Sequence, residues 1–165
     1  MSAPNIVIRL AEKNTVDEIS RINLIVLPVS YPPKVYSQMV SDGMSFIAYR
    51  VNPKTNKEEA VGAIGCIFKK DTIASPDSVG LCIASLSVLA AHRSKGIGGK
   101  LLEHVLEQVR EKNETCVVYL QTQINNDDAV KFYEKHGFSI LQKVDNFYKR
   151  LDPPHCFVLA RTIQA

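Results

Sequence analysis

The stretch Arg93-Ser94-Lys95-Gly96-Ile97-Gly98-Gly99-Lys100 sits between the apolar run Leu81 to Leu89 and an amphipathic segment beginning at Leu101. A glycine-rich loop that opens a helix leaves backbone N–H groups without intrahelical partners at the positive end of the helix dipole. Together these make a seat for phosphate, and pyrophosphate is its natural guest. Spacing separates the candidates. The dinucleotide fingerprint needs Gly-x-Gly-x-x-Gly, and this chain has Leu101 in the third glycine's place. The P-loop needs Ser or Thr after Gly-Lys to hold magnesium, and Leu101 again stands there. What remains is Arg93-x-x-Gly96-x-Gly98 between a buried strand and a helix. The plain alternative is a tight strand-to-helix turn that holds no ligand.

Behind the loop, Leu101, Leu102, Val105, Leu106 and Val109 form one apolar stripe, with Glu103, Glu107, Arg110 and Lys112 on the wet side. Cys116 to Thr122 then reads as a buried strand, parallel to Leu81 to Leu89 because a helix crosses between them. Asp127 or Asn126 caps a last helix with Ala129, Val130 and Tyr133 inward, and Gly137 ends it before a strand beginning at Phe138. A final strand covers Cys156 to Ala160. Toward the N-terminus, Ile6 to Leu10 starts a strand, and Thr15-x-x-Glu18 makes a capping box for a helix with Val16, Ile19, Ile22 and Val26 inward. Pro28 stops that helix. A second one opens at Pro32-Pro33, turns Val35, Met39 and Val40 inward and ends at Gly43. Phe46 to Val51 and Ala60 to Lys69 pair around the turn from Asn52 to Lys57, with a longer loop from Asp71 to Val79.

The composition bounds the function. With 165 residues and 45% apolar content, one domain spanning 1–165 is expected. No apolar run is long enough to cross a membrane. Met1-Ser2-Ala3-Pro4-Asn5 has no basic run leading into an apolar stretch, so a cytoplasmic protein is expected, with the nucleus as a second compartment. The four cysteines, Cys66, Cys82, Cys116 and Cys156, lie far apart without a Cys-x-x-Cys pair, which argues against a zinc site or a disulfide framework. They are expected to be reduced and mostly buried. A net charge of +3 is too small to imply nucleic acid, although it suits a polyanionic ligand.

Arg93-x-x-Gly96-x-Gly98 is similar to the Arg/Gln-x-x-Gly-x-Gly/Ala motif of the GNAT superfamily of N-acetyltransferases. The later stretch Asn126-Asp127-Asp128-Ala129-Val130-Lys131-Phe132-Tyr133-Glu134-Lys135-His136-Gly137-Phe138 resembles that superfamily's Asn-x-x-Ala-x-x-Phe-Tyr-x-x-x-Gly-Phe signature, in the expected order and separation. The resemblance implies the GNAT fold. That is an α/β fold, α+β in three layers, with a central mixed, mostly antiparallel, twisted sheet of about seven strands flanked by about four helices. It also implies acetyl-coenzyme A as cosubstrate and no metal. The coenzyme would be held by Leu86, Ser87 and Val88 and by Arg93, Ser94, Lys95, Gly96, Ile97, Gly98 and Gly99. Asn126 and Tyr133 would border pantetheine and thioester, and Tyr133 could donate a proton to the departing thiolate. The plain reading of Tyr133 is a core aromatic whose hydroxyl finds a backbone partner.

Over most of the chain the resemblance narrows to the N-terminal methionine acetyltransferase branch called NatE or San. It is carried by Leu27-Pro28-Val29-Ser30-Tyr31, Leu86-Ser87-Val88-Leu89-Ala90, Gly96-Ile97-Gly98, Leu102-Glu103-His104-Val105-Leu106, Tyr119-Leu120, Phe132-Tyr133 and Asn146-Phe147-Tyr148-Lys149-Arg150. It implies a methionine pocket walled by Leu27, Pro28, Val29, Tyr31, Phe147 and Tyr148, reshaped because Leu27 stands where the family usually has phenylalanine. Apolar and aromatic walls suit a flexible, polarizable thioether. Val29 and Tyr31 are otherwise simply packing residues. The family's tyrosine and histidine bases align with Cys82 and Gln121, neither an obvious base, since an amide does not titrate and a thiol near pKa ~8.5 is mostly protonated at neutral pH. Cys82 reads better as a small buried residue than as a nucleophile. Of the histidines, only His92 falls just before the glycine loop. The expected partners are N-terminal peptides and, through the family's large helical-repeat scaffold, the catalytic subunits of the NatA complex at the ribosome. No direct nucleic-acid or membrane contact is expected. Two readings stay open beside an active N-terminal methionine acetyltransferase. One is a weak or silent subunit that keeps the fold to serve that complex, and the other is an enzyme for small-molecule amines.

Overall fold

The structure, a computed structural model, describes residues 5–165, so the reading of Met1 to Pro4 as carrying no leader lies outside the described residues. In chain order the elements are β1 (Ile6–Leu10), α1 (Val16–Val26), α2 (Pro33–Asp42), β2 (Phe46–Val51), β3 (Glu58–Lys70), β4 (Val79–Val88), α3 (Ile97–Glu111), β5 (Cys116–Gln123), α4 (Asp127–Lys135), β6 (Ser139–Val144) and β7 (Cys156–Ile163), with a 3-10 turn at Ala90–His92. The strands form one seven-stranded sheet in the order β1-β2-β3-β4-β5-β7-β6. The recorded registers are antiparallel, apart from parallel β4 and β5 through Leu81↔Val118 and Cys82↔Tyr119. This is the mixed, mostly antiparallel sheet with four α-helices that the sequence implies. Two compact units divide the chain. One runs up to Ile67 and includes Ile83–Glu111, and the other holds Phe68–Cys82 and Lys112–Ala165.

In the first unit, helices cover both faces of the strands. A Cβ built on Gly65 of β3 would strike Met39 of α2 and the Ser85 hydroxyl. One built on Gly62 would meet Ile97 of α3 and Val88 instead. Residues 62 and 65 differ in parity and so point to opposite faces, which places α2 and α3 on opposite sides. Glycine at 65 lets the Met39 thioether lie against the strand. The α3 stripe Leu101, Leu102, Val105, Leu106 and Val109 is at most 1% exposed, each side chain contributing about 1.5–3 kcal/mol by leaving water. Ile19 and Ile22 do the same for α1.

Two local expectations fail here for physical reasons. The Thr15 hydroxyl turns back to accept the Glu12 N–H at 2.9 Å, and Glu18 pairs with Arg21, so no capping box forms. On α2 the inward residues are Tyr36 and Met39, while Val35 and Val40 are half-buried, because Tyr36 carries its hydroxyl to a buried polar partner. Gly43 ends α2 in the left-handed region at φ 70°, where a side chain would be strained.

In the second unit, β7 pairs with β5 from Cys116↔Ile163 to Gln123↔Cys156, and with β6 from Ser139↔Ala160 to Val144↔Cys156. Gly137, at φ 84°, ends α4, and Phe138 then donates its N–H to the Tyr133 carbonyl at 3.0 Å. Arg161 of β7 ties the same corner by donating to the His136 carbonyl at 2.7 Å. Cys66, Cys82 and Cys156 are buried free thiols, and Cys116 is half-buried. Among the described residues no helix is long and apolar enough to cross a membrane, and no cluster of three or more His, Cys, Asp or Glu could hold a metal.

Candidate active site

Strand β4 ends at Val88 and the chain turns sharply. Leu89 donates its N–H to the Val61 carbonyl at 2.9 Å, His92 closes the 3-10 turn by donating to the Leu89 carbonyl, and the Arg93 Nε donates back to the Val88 carbonyl at 2.9 Å. Ser94 (φ 61°) and Gly96 (φ 79°) then both take the left-handed conformation. Such alternation turns successive N–H groups toward one concavity, the backbone form of an anion seat. α3 opens at Ile97, and the Gly96 carbonyl accepts the Lys100 N–H at 3.0 Å. The N–H groups of Ile97, Gly98 and Gly99 therefore lack intrahelical partners. Nothing lies within 4 Å of where a Gly96 Cβ would stand. Arg93, Lys95 and Lys100 are exposed cations around this open turn, whose free N–H groups and positive charge suit phosphate. Arg93, expected to face the ligand, uses its Nε to fasten the loop to the strand.

The same unit carries the first expected pocket wall. Leu27, Val29 and Tyr31 are half-buried and Pro28 is exposed. Tyr31 donates its hydroxyl to the Ala84 carbonyl of β4, and its ring meets Tyr36 edge-on with centroids 6.3 Å apart. Along β4 the side chains of Leu86 and Val88 are half-buried, whereas Ser85 and Ser87 point to the other face and are 4% and 2% exposed. Both serines bond the amide of Asn23 on α1.

The second unit holds Cys82 and Gln121, where the resemblance implies the family's bases. Cys82 is 2% exposed, and its Sγ–H points at Gln121 Oε1 across 3.9 Å, a weak contact that nonetheless brings the two side chains together. Burial pushes the Cys82 thiol up, against a smaller pull from Lys69, so it stays protonated through neutral pH and cannot act as a base there. Tyr119 pairs across from Cys82, and among the described residues no group meets its buried hydroxyl in good hydrogen-bond geometry, Thr72 and the Cys82 thiol being polar neighbours. Burial, then the Cys82 thiol, hold that phenol well above the ordinary tyrosine range. No residue of this group is ready to accept a proton near pH 7.

Tyr133 is 7% exposed on α4, between Phe132 (5.1 Å) and Phe138 (5.4 Å), both edge-on. Asn126 accepts the Ala129 N–H at 3.2 Å and is the cap, leaving Asp127 as the first helical residue. Its carbonyl is thus engaged in the fold. Asn126→Ala should lower stability by about 1 kcal/mol, a drop that melting without ligand would register.

Phe147 and Tyr148 lie in the β6–β7 loop, edge-on at 4.9 Å, with Phe147 43% exposed. Tyr148 donates its N–H to the Pro154 carbonyl, and Asn146 donates its own to His155 Nδ1 at 3.1 Å. His155 is therefore a brace for this loop, and His104 packs edge-on against Phe46 at 4.5 Å. Sequence reasoning missed the buried amide of Asn23, which could have been flagged as a polar residue on the inward side of α1. Tyr119 entered only as part of the resemblance, and nothing in the sequence marked His155 as a brace.

Residues 18–138 match the family model described as Acetyltransferase (GNAT) family. Over 153 residues, 92% of this chain and 85% of the relative, the chain is 33% identical to N-alpha-acetyltransferase 50 of Danio rerio. It is 29% identical to the probable N-acetyltransferase san of Drosophila melanogaster, with 92% and 77% covered. Among solved structures it is similar to Arabidopsis thaliana Naa50 in complex with the bisubstrate analogue CoA-Ac-MVNAL, with TM-score 0.83, 32% identity, and 96% of this chain and 99% of that one covered.

Proposed function

We propose, from the premise that this chain belongs to the acetyltransferase (GNAT) family, that it transfers acetyl from acetyl-coenzyme A to the N-terminal amine of polypeptides beginning with methionine. The observation that carries the reading is the open turn of left-handed Ser94 and Gly96 in front of the unpartnered N–H groups of α3. The apolar loop residues Leu27, Pro28, Val29 and Tyr31 are assigned to the methionine side chain. The analogue bound to the Arabidopsis relative begins with methionine, which supports that assignment. The whole chain, 1–165, is taken as one acetyltransferase domain.

Bound acetyl-coenzyme A supplies a thioester carbonyl open to attack by an amine. The chain's own residues do the rest. N–H groups of the loop hold the phosphates, and backbone N–H groups at Ser87 and Val88 are assigned to the oxygen that gains charge. Tyr133 is assigned to give a proton to the departing sulfur. An α-amino group, pKa roughly 7.7–8.0, is about a tenth or more neutral at pH 7, whereas a lysine amine at ~10.4 is almost wholly protonated. An N-terminal substrate therefore depends least on a base, which suits a chain whose Cys82 stays protonated and whose Gln121 cannot titrate. General-base help is typically worth 10²–10⁴, so turnover should be slow while binding is intact.

We assign the protein to a NatE-type role in the cytoplasm, with the nucleus as a second compartment. There it would associate through a large helical-repeat scaffold with the catalytic subunits of NatA, and through them with the ribosome. Cys82 and Gln121 also favour a second reading, a weak or silent subunit kept for its place in that assembly. Release of free coenzyme A with a panel of Met-starting peptides tests the choice. Multiple turnovers with a Met-Leu peptide, and far fewer with a small-molecule amine, support the enzyme. No release above the uncatalysed rate, with acetyl-coenzyme A still bound, leaves the silent subunit.

A further inference from the structure

Asn23 is 2% exposed, although the next two residues of α1, Leu24 and Ile25, are 70% and 66% exposed. Elsewhere the inner side of α1 is filled by isoleucine. Here an amide is buried, and it is fully engaged. Its Nδ2 donates to Ser85 Oγ at 3.1 Å and to Tyr36 Oη at 3.3 Å, and its Oδ1 accepts from Ser87 Oγ at 2.9 Å. Its main-chain carbonyl accepts the N–H of Leu27, first residue of the loop assigned to the methionine side chain, at 2.9 Å. At the far end of that loop Tyr31 donates to the Ala84 carbonyl and packs edge-on against Tyr36.

Ser85 and Ser87 are successive same-face residues of β4, about 6.6 Å apart along the strand. A side chain that bonds both fixes the helix end along the strand axis, whereas a leucine of similar size would fill the space and still let α1 slide. Ser87 also lies within the segment Leu86–Val88 assigned to the coenzyme. One buried side chain thus joins the peptide loop to the strand that would present the acetyl group.

We infer that Asn23 is a positioning residue for the N-terminal peptide, setting the register of the loop Leu27–Tyr31 against Ser85–Val88 of β4 without touching either substrate. The inference rests on the acetyl-transfer reading above. Steady-state kinetics of Asn23→Leu with a Met-Leu peptide and acetyl-coenzyme A test it, with melting measured alongside. The peptide KM should rise about tenfold or more, while the KM for acetyl-coenzyme A stays within about twofold. Ser85→Ala with Tyr36→Phe, which removes two of the three amide contacts, should shift the peptide KM in the same direction. Adding it to Asn23→Leu should bring little further rise. A merely structural asparagine would lower the melting temperature and leave the ratio of the two KM values unchanged, which overturns the proposal. If Asn23→Leu does not fold, an unchanged peptide KM in Ser85→Ala/Tyr36→Phe overturns it equally, and a raised one supports it. A wild type that transfers no acetyl to any peptide overturns the acetyl-transfer reading along with it. An active wild type whose variants keep the peptide KM overturns the role of Asn23 alone.

Discussion

Gly98→Glu is expected to abolish the rise in melting temperature that acetyl-coenzyme A gives the unsubstituted chain. At a hundred times its Kd a ligand adds about 2.7 kcal/mol, which for a chain of this size corresponds to roughly 5–10 °C. Gly98 is the second residue of α3, half-buried, with an N–H that has no intrahelical partner. A carboxylate there repels phosphate and occupies its space. It should not harm folding, since glutamate is a better helix former than glycine and an acid in the first turn suits the helix dipole. The variant should therefore melt no lower than the parent without ligand. A shift that survives in Gly98→Glu would mean that the loop has been misread. No shift in the parent at millimolar ligand would remove the coenzyme assignment.

The second large effect concerns turnover. Cys82→Tyr combined with Gln121→His, the pair that the resemblance implies at these positions, should raise kcat on a Met-starting peptide by one to two powers of ten, or about 1.4–2.7 kcal/mol of barrier. Affinity for acetyl-coenzyme A should barely change, because neither residue belongs to the loop. Cys82 is packed beside Tyr119, so a tyrosine there can overfill the site at a cost of about 1–3 kcal/mol. Melting of the double variant must be checked first. A folded double variant that is slower than the parent would refute the assignment of these positions. A parent already turning over many times per second would refute it sooner, and would turn attention to His92 as the base.

The sequence made α3 legible because its stripe repeats at helical spacing over several turns, and all five stripe residues are buried as expected. Glycine punctuation was equally readable, since Gly43, Gly96 and Gly137 all lie in the left-handed region. Side-chain partnerships were not. Thr15 and Glu18 have the capping-box spacing, but each finds a different partner, and spacing cannot rank competing hydrogen bonds. Asn23 falls at helical spacing from Val16 and Ile19, so the pattern turns it inward without saying what would satisfy a buried amide. Its burial depends on two serines more than sixty residues away. The contact between Cys82 and Gln121 needed the resemblance to bring the pair to notice, and neither side chain announces it. The division into two units has no trace in composition, because its boundaries within β3 and β4 fall at Ile67–Phe68 and Cys82–Ile83, apolar on both sides.

The fastening of the β4 exit bears on the speed of recognition. Leu89 is held to Val61, Arg93 to Val88 and Lys100 to Gly96, so the turn from Val88 to Lys100 has its shape before any ligand arrives. The entropy of ordering that turn belongs to folding and is not charged again at association. A polyanion meeting a cradle already formed and ringed by exposed Arg93, Lys95 and Lys100 can be captured at a rate set by diffusion and steering, sensitive to ionic strength and free of a loop-closing step.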